Sequence, residues 1–408
     1  MANSYLSRTI GTPTNAKKGT ISLWVKRGNL TDGRLVNSWG GSSVQFFTLL
    51  QSNATIFIGD YDDPYNFELK TNRVFRDTSA WYHFVFSFDT TQGTASDRVK
   101  FYVNGIQETS FSTETYPSQN LDLNFGNSGD SFRIGVRDAE EYFDGSMSHV
   151  HFIDGTAYAP TSFGQSDSNG VWIPKPSPSV TYGTNGFFLK MDNSGNMGLD
   201  SSGNSNNFTT SGTITQAKDT PSNVFATLNP LGSWNGSGVG TFANGNTYWT
   251  STTTDQDACL STLAVNDGGK YYCEMKMISK TGGYWNPGVY TVTKSTYGTS
   301  PNCFVRTDGV IYNNGSQVAT GLASWSANDI CGIAYDGSGG THTIQFYKNG
   351  VAYDSAKNIS NSSNLPLFFG DGTNGGSVSN QVAFNFGNGY FGTTAVTSAG
   401  TNASGNGI

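Results

Sequence analysis

The stretch "WYHFVFSFD" (Trp81–Asp89), followed by "RVKFYVNGIQ" (Arg98–Gln107), decides the fold of the first half of the chain. Its apolar residues alternate with period two, which places Phe84, Phe86 and Phe88 on one face of a strand together with Tyr82. Asn-Gly between two alternating runs predicts a type I′ hairpin, because both turn residues need a positive φ. Val103 is then expected to face Ile106 across the ladder.

The same pattern returns 245 residues later, where "DICGIAYD" (Asp329–Asp336) precedes "THTIQFYKNG" (Thr341–Gly350). In both copies an apolar strand ends at an aspartate, a polar turn follows, and the next strand ends in Phe-Tyr-x-Asn-Gly. Here Lys348 is expected to face Val351. A three-strand meander that occurs twice predicts two related sandwiches, one in each half.

Composition favours the same fold class. The 408 residues include 51 glycines and 13% aromatic residues but only 13% charged residues, which suits short strands joined by tight turns rather than helix bundles. We therefore predict an all-β protein of two tandem antiparallel β-sandwiches. The four cysteines, all in the second half, form no C-x-x-C pair and are predicted to be free, buried thiols rather than disulfides or zinc ligands.

Charge and hydropathy exclude several partners. The net charge of −7 and a pI near 5 argue against nucleic-acid binding, which needs clustered Lys and Arg. No run approaches 18 apolar residues, so no membrane span is predicted. The first residues, "MANSYLSRTIGTPTNAKKGT", contain no apolar core of a secretory signal, so the protein is expected to be made in the cytoplasm.

Two groups of motifs resemble known families. The first meander, with "RIG" and "FDGSMSHVHFIDG" (Phe143–Gly155), resembles the laminin-G-like branch of the concanavalin A-like lectin/glucanase superfamily. In the second half, "GGKYYCEMKM" (Gly268–Met277), the second meander and "VAFNFGNGYF" (Val382–Phe391) resemble a SPRY domain. The order of both groups is similar to that in particle-surface proteins of marine tailed phages, which are tail-fibre or decoration proteins.

This resemblance implies three segments: a laminin-G-like jelly roll over residues 1–230, a SPRY-like sandwich over 231–391, and a Gly/Ser/Thr-rich tail over 392–408. Residues 189–212 contain "DSSGNSN", a motif that commonly follows the first strand of such jelly rolls, so they are kept within the first domain. "PKPSPS" (Pro174–Ser179) then becomes a crossing loop inside that domain.

One acidic and aromatic turn is the candidate binding site. "GDYDDPYNF" (Gly59–Phe67) concentrates five candidate ligand-binding residues at a strand end, and oxygen ligands on a rim loop are what Ca²⁺ requires. The candidate ligand-binding residues are Asp60, Tyr61, Asp62, Asp63 and Tyr65, and the candidate calcium ligands are Asp60, Asp62 and Asp63. The alternative is a solvated acidic loop that caps turns. A second acidic stretch, "RDAEEYFDG" (Arg137–Gly145), leaves the same two interpretations open, and no other cofactor is predicted.

Function is expected to be binding rather than catalysis. The E-x-D-x-x-E strand of the glucanase branch is missing, so no catalytic residue is assigned and the protein is predicted not to be an enzyme. Aromatic residues in loop-like stretches, among them Trp39, Tyr61 and Tyr65, are compatible with sugar stacking.

The resemblance implies a structural protein on the surface of a phage virion, with other virion proteins, further copies of itself and host-surface glycans as partners. The alternatives are a cellular lectin or glycoside hydrolase, and a SPRY-type peptide-binding adaptor.

Overall fold

The computed structural model describes residues 3–41, 44–231, 240–252, 257–265, 267–291, 302–359, 366–374 and 379–396. The chain divides into two units, and the boundary along the sequence lies between Gln216 and Phe225. Unit 1 is Met1–Gln216 with Thr220–Val224, and unit 2 is Ala217–Asp219 with Phe225–Ile408. The sequence places the boundary after Pro230 instead. Most of the predicted tail, residues 397–408, lies outside the described residues.

Unit 1 is a sandwich of two antiparallel sheets. The strand order is β10-β6-β5-β4-β3-β11-β1-β16 in the eight-stranded sheet and β15-β12-β2-β7-β8-β9 in the six-stranded sheet, with β13 and β14 forming a separate hairpin. The strands are β1 (Tyr5–Thr9), β2 (Lys18–Arg27), β3 (Gly33–Trp39), β4 (Gln45–Leu50), β5 (Ile56–Tyr61), β6 (Tyr65–Thr71), β7 (Tyr82–Asp89), β8 (Val99–Val103), β9 (Ile106–Glu108), β10 (Phe111–Thr115), β11 (Ser131–Ile134), β12 (Gly145–Asp154), β13 (Gly164–Ser166), β14 (Trp172–Pro174), β15 (Phe187–Leu189) and β16 (Thr209–Ser211).

Unit 2 also has two large antiparallel sheets. One has the order β17-β18-β31-β20-β26-β27-β28, with β29 beside β27, and the other has the order β19-β30-β22-β23-β24-β25, with β21 beside β30. The strands are β17 (Thr241–Ala243), β18 (Tyr248–Thr250), β19 (Ala258–Val265), β20 (Lys270–Lys280), β21 (Tyr284–Trp285), β22 (Gly288–Thr291), β23 (Asn302–Arg306), β24 (Val310–Asn313), β25 (Ser316–Ala319), β26 (Ile330–Asp336), β27 (His342–Lys348), β28 (Val351–Ala352), β29 (Lys357–Ile359), β30 (Leu367–Asn374), β31 (Asn380–Asn385), β32 (Tyr390–Phe391) and β33 (Thr394–Ala395).

The predicted all-β fold of two sandwiches is confirmed. Within the described ranges the only helical elements are two single 3-10 turns, Ala95–Asp97 and Pro160–Ser162. No helix among these residues is long and apolar enough to cross a membrane.

An aromatic core fills the space between the two sheets of unit 1. Phe84, Phe86 and Phe88 of β7 are fully buried, as their alternation predicts. The ring of Phe88 packs in an edge-to-face arrangement against Phe46, which belongs to the opposite sheet, at 5.1 Å between ring centroids. Burying a phenylalanine contributes roughly 2–3 kcal/mol. The alternate residues of β7 therefore point to the outside of the sandwich.

A long connection covers part of this outside surface. Residues 155–186, here called the covering segment, pack on the outer face of the six-stranded sheet through Phe163, which lies in one cluster with Val85 and Ile153. "PKPSPS" lies in this segment, inside unit 1. The strands on either side of "DSSGNSN" join the sandwich, since β15 pairs with β12 and β16 pairs with β1.

Both Asn-Gly hairpins have the predicted register. Val103 faces Ile106 and Lys348 faces Val351. In the first, Asn104 and Gly105 have φ values of 50° and 83°, and in the second the corresponding values are 51° and 81°. Both hairpins lie at the edge of their sheets.

The asparagine of each hairpin also extends the ladder to the next strand. Asn104 Oδ1 accepts the N–H of His83 at 2.8 Å, while the Asn104 N–H donates to the His83 carbonyl at 2.9 Å. Asn349 makes the same pair of bonds with Ile330, both at 2.8 Å. We call this two-bond exchange the asparagine clamp. It ties each turn to the first or second residue of the neighbouring strand, which is not one of the two strands that the turn connects.

A third asparagine clamp was missed in the sequence. "IYNNG" (Ile311–Gly315) forms the hairpin between β24 and β25, with φ values of 47° and 78° at Asn314 and Gly315. Asn314 exchanges bonds with Asn302, accepting at 3.1 Å and donating at 2.9 Å. The Asn-Gly dipeptide was the one signal in the sequence for this hairpin, because no strand that ends at an aspartate precedes it in a meander. Unit 2 therefore has two clamps, so the number of clamps does not equal the number of sandwiches.

Unit 2 buries the carboxyl group of Asp371 completely. Asp371 of β30 accepts the backbone N–H of Asn286 at 2.7 Å, whereas its Oδ2 has no hydrogen-bond partner among the described residues. Burial raises the pKa of this carboxyl to about 8, against the opposing effect of the backbone donors. Its cross-strand neighbour is Cys259, and all four cysteines are free and buried, as predicted.

Replacing the clamp asparagine should destabilise the sandwich measurably. Asn104→Ala loses the acceptor for a backbone N–H and forces alanine into positive φ, so we expect a loss of about 2–3 kcal/mol of unfolding free energy. Asn104→Asp keeps an acceptor and should cost less. Urea unfolding of both variants tests this, with Asn349→Ala as the matched change in unit 2. Equal stability of Asn104→Ala and wild type would contradict the structural role of the clamp.

Asp371 should make the stability of unit 2 fall as pH rises. Its folded pKa of about 8 lies above the unfolded value of 3.8, so between these values the folded state holds a proton that the unfolded state has released. The free energy of unfolding should fall by up to about 1.4 kcal/mol per pH unit in that window. Asp371→Asn should gain stability relative to wild type between pH 5 and about pH 8. Asp308→Asn, which keeps Asp371, serves as control and should show no such gain in stability relative to wild type.

Candidate functional site

The outer face of the eight-stranded sheet brings aromatic and polar side chains into adjacent rows. The strand register aligns Ser131, Trp39, Gln45, Tyr61 and Tyr65 across five strands. The next row contains Arg133, Asn37, Phe47, Gly59 and Glu68, and a third contains Arg34, Leu49, Phe57 and Lys70. We call these three rows the outer platform.

The platform has an apolar floor of its own. Phe47, Leu49 and Phe57 form a cluster separate from the main core of unit 1. Tyr65 stands at its edge, 5.8 Å from Phe57 between ring centroids, and remains 40% exposed. Tyr61 meets Tyr65 edge to face at 4.8 Å. The ring of Tyr65 is thus held in place at the surface by buried phenylalanines, and the ring of Tyr61 packs against Tyr65 in turn.

Glycine at position 59 allows this packing. A Cβ there would lie 2.6 Å from the ring of Phe47 and 3.3 Å from the ring of Tyr65. The backbone of β5 thus leaves room for the two rings to lie over it, and any larger residue would displace them.

Arginines fasten the second acidic stretch to the platform. The guanidinium of Arg34 lies 3.9 Å above the ring of Phe47 and forms an ion pair with Glu141. The backbone N–H of Arg34 also donates to the Glu141 carbonyl at 2.9 Å. Burial lowers the pKa of Arg34, and the adjacent carboxylate opposes that effect. The Arg137–Gly145 stretch is therefore held on the outer platform by charge and backbone bonds.

Two further arginines of this region surround Trp39. Arg137 lies 5.6 Å from the Trp39 ring and pairs with Glu140 at 2.9 Å. Arg133 lies 5.7 Å from the same ring and pairs with Asp138 at 2.8 Å. Asp138, Glu140 and Glu141 of this stretch are accordingly paired with arginines, while Asp144 accepts a hydrogen bond from Asn29 Nδ2 at 2.7 Å. This pairing favours the solvated-loop interpretation over a calcium site here.

The outer platform also contains several buried polar atoms without hydrogen-bond partners among the described residues. Both amide atoms of Asn37, which is fully buried, lack a hydrogen-bond partner among the described residues. The same holds for Gln45 Oε1, Arg34 Nη1 and Arg137 Nε. Buried polar atoms are normally paired, so this group of atoms without partners is an unusual feature of the platform.

The structure separates the predicted site residues. Tyr61 and Tyr65 belong to the platform, and Asp62 and Asp63 are exposed in the β5–β6 turn, where the Tyr61 hydroxyl donates to Asp63 at 3.2 Å. Asp60 points to the opposite side of β5 and is fully buried. The five residues are thus divided between the outer face, the turn and the inner face of the sheet.

Asp60 has a structural environment. Its carboxylate accepts bonds from Asn66 Nδ2 at 2.7 Å and from the N–H and Nδ2 of Asn124 at 2.7 and 2.8 Å. Burial raises the pKa of this carboxyl to about 6. No group of three or more His, Cys, Asp or Glu side chains converges as metal ligands within the described ranges. As placed, Asp60 does not fit a calcium site shared with Asp62 and Asp63, and calcium at this turn stays a prediction.

Sequence reasoning missed the polar half of the platform. Arg34, Asn37 and Gln45 lie in the stretches "GRLVNSW" and "QFFTLL", which read as ordinary buried strands. Alternation alone would place Arg34 and Asn37 on opposite faces of β3, and the register shift between Arg34 and Val36 brings both to the outer platform. Alternation also does not say which strands are neighbours. The row that joins Trp39 to Tyr65 depends on that pairing.

A methyl group at position 59 should disrupt the platform without affecting the main core. For Gly59→Ala we expect a loss of about 1–3 kcal/mol of unfolding free energy, the usual cost of overpacking, and a changed near-ultraviolet circular dichroism from the tyrosines. Gly93→Ala is the matched control, because a Cβ there meets no atom within 4 Å. Identical spectra and stabilities for both variants would contradict the packing described.

Comparison with known proteins supports the fold of unit 1. Residues 2–161 match the Laminin_G_3 family model, described as the concanavalin A-like lectin/glucanases superfamily. No curated protein matches the chain.

Similar solved structures come from distant proteins. The SPRY domain of human HERC1 is 20% identical, with a TM-score of 0.32, over 38% of this chain and 96% of that chain. Domains LG4-5 of the mouse laminin alpha1 chain are 9% identical, with a TM-score of 0.30, over 97% and 83%. The carbohydrate binding module CBM66 from Bacillus subtilis is 13% identical, with a TM-score of 0.24, over 36% and 88%.

The strands of the outer platform, from β3 to β6 and β11, all lie within residues 2–161. The N-terminal part of this chain is thus similar to the concanavalin A-like lectin/glucanases superfamily.

Proposed function

We propose that the protein binds glycans through the outer platform of unit 1 and does so without catalysis, as a structural protein on the exterior of a phage virion. The observation that carries the binding proposal is the row that contains the exposed Tyr65 and the partly exposed Trp39 and Tyr61, beside buried amide and guanidinium groups. The superfamily that unit 1 matches includes lectins by its description.

The platform has the two kinds of group that sugars require. The apolar face of a pyranose ring packs on a flat aromatic surface. The ring of Tyr65 is held by Phe47 and Phe57 behind it, and the ring of Tyr61 packs against Tyr65. Sugar hydroxyls need directed donors and acceptors. Arg137, whose side chain is 27% exposed, supplies donors beside Trp39.

The charges of the platform favour binding over hydrolysis. A glycosidase needs one carboxyl group that is protonated and a second that is free to act as nucleophile or base. Here Asp138, Glu140 and Glu141 each pair with an arginine. Each of these carboxylates is thus already engaged by an arginine, which suits a surface that positions a ligand.

The virion location rests on the order of motifs along the chain, which is similar to that in tail-fibre and decoration proteins of marine phages. In such a particle the partners would be other virion proteins and further copies of this chain, with the platform directed at host-surface glycans. A tail location and a head location are both consistent with an acidic protein of rigid sandwiches joined by variable loops.

Removing an exposed ring of the platform should weaken glycan binding. On a glycan array, or by calorimetry with a glycan that the array identifies, Tyr65→Ala and Tyr61→Ala should each weaken binding about tenfold, as expected for a hot-spot aromatic residue. Tyr272→Ala in unit 2 is the matched control, since Tyr272 is 51% exposed and lies outside the platform. Unchanged binding in both platform variants would overturn the assignment of this surface.

Two assays separate the rival functions. Release of reducing ends from algal or bacterial polysaccharides, abolished by a single Asp or Glu substitution, would establish a glycoside hydrolase. Immunogold labelling of purified phage particles is expected to place the protein on the head or tail. A protein absent from virions that captures a specific peptide would instead be a SPRY-type adaptor.

A further inference from the structure

We propose that unit 1 has a second glycan subsite, which holds one uncharged pyranose, in a cleft on the outer face of the six-stranded sheet. The cleft measures about 280 Å³ and is open to solvent. It lies on the other sheet from the outer platform and shares no residue with it, so it extends the function proposed above to a separate surface. Its lining side chains are Ser87, Asp89, Gln92, Asp97, Lys100, Tyr102 and Tyr158, with Ala157 and Ala159 at the edge.

The floor of the cleft is the part of this sheet that the covering segment leaves open. Ser87 faces Lys100 across the β7–β8 ladder, and Val85 faces Tyr102 in the next row of the same face. Val85 is buried beneath the covering segment, while Ser87, Lys100 and Tyr102 remain partly exposed. The edge of the covering segment thus turns a flat sheet face into a cleft with a wall.

Tyr158 forms that wall and is held from three sides. Its backbone N–H donates to Thr20 Oγ1 at 2.8 Å, and its hydroxyl accepts the N–H of Thr181 at 3.1 Å. Its ring meets Phe163 edge to face at 6.3 Å. A ring held in this way presents its free face to a ligand without further ordering, which reduces the entropic cost of binding.

The covering segment itself is anchored to the sheet by a buried histidine. Trp172 Nε1 donates to His83 Nδ1 at 2.9 Å, and His83 Nε2 lies 2.9 Å from Ser22 Oγ, so Nε2 holds the proton and donates to the serine. Trp24 stacks on the imidazole at 4.7 Å between ring centroids. These contacts fix the position of the cleft wall relative to its floor.

The polar groups of the cleft match hydroxyl groups better than anions. Asp89 is held by Gln92 at 2.7 Å and Lys18 at 3.1 Å, and Asp97 uses one oxygen on Lys100 at 2.9 Å. Carboxylates are acceptors only, so they bind ligands that donate. A sugar carboxylate or sulfate placed here would face two like charges. An uncharged pyranose can donate to Asp97 and accept from Lys100, with its ring against Tyr102 or Tyr158.

The size of the cleft limits the ligand to a single sugar. A volume of 280 Å³ corresponds to the liquid volume of about nine water molecules, and binding pockets for drug-sized ligands begin at about this size. One pyranose with its hydroxyls fills such a space, whereas a chain must leave through the open side. We therefore expect recognition of a terminal or branching residue with a millimolar Kd for the isolated sugar.

The test uses the full chain and four probes: methyl α-D-glucopyranoside, methyl α-D-mannopyranoside, methyl β-D-galactopyranoside and, as the anionic probe, methyl glucuronide. Saturation-transfer NMR and titration should detect at least one neutral probe. Asp97→Asn and Tyr102→Ala should each weaken that binding about tenfold or more, and the glucuronide should bind more weakly than the neutral probe. Asp97 lies at the surface, so its substitution keeps the fold intact.

Tyr65→Ala separates this subsite from the outer platform. It should leave the binding of the neutral probe unchanged even where it abolishes binding of the array glycan, so failure at one site is distinguishable from failure at the other. The second subsite is overturned if no neutral probe binds, if Asp97→Asn and Tyr102→Ala both bind as wild type does, or if the glucuronide binds more tightly.

Discussion

The asparagine clamp is the constraint on which the rest of the structure depends. In three hairpins the side-chain oxygen of an Asn-Gly turn accepts a backbone N–H from the neighbouring strand, in the place of a backbone carbonyl. Asn104 does so for His83, and Asn349 does so for Ile330. A one-residue slip of that strand would remove the bond and exchange the two faces of the sheet. The clamp therefore fixes which face of β7 carries the phenylalanine core and which carries His83 and Ser87.

Both candidate binding surfaces follow from that choice of faces. Once the phenylalanines fill the space between the sheets, the remaining side chains of each strand are directed outward, where they form the outer platform on one sheet and the cleft floor on the other. The two surfaces are made differently. The platform consists of adjacent rows within one sheet, fastened to a loop by Arg34 and Glu141, whereas the cleft needs the covering segment to supply Tyr158.

Buried His83 in unit 1 and buried Asp371 in unit 2 make opposite contributions to the pH dependence of stability. Burial lowers the pKa of His83 to about 3, so the folded state of unit 1 resists protonation that the unfolded state accepts below about pH 6.5, and His83 contributes stability that is lost as pH falls. Asp371 acts in the other direction in unit 2, as its raised pKa removes stability as pH rises. Asp60, with a pKa of about 6, partly offsets the histidine in unit 1.

The sequence by itself determined the strands, the hairpins and the aromatic core, because alternation and turn chemistry are local: Phe84, Phe86, Phe88 and both quoted Asn-Gly turns lie where the pattern puts them. It also identified Tyr61 and Tyr65 as candidate binding residues. Only the tertiary structure decided their neighbours. Asp60 leaves the predicted site because alternation turns it inward, where Asn124, 64 residues away, supplies its hydrogen bonds. Trp39, Asn37 and Arg137 join Tyr65 because strand order is set by long-range packing of two sheets, and no local pattern encodes it.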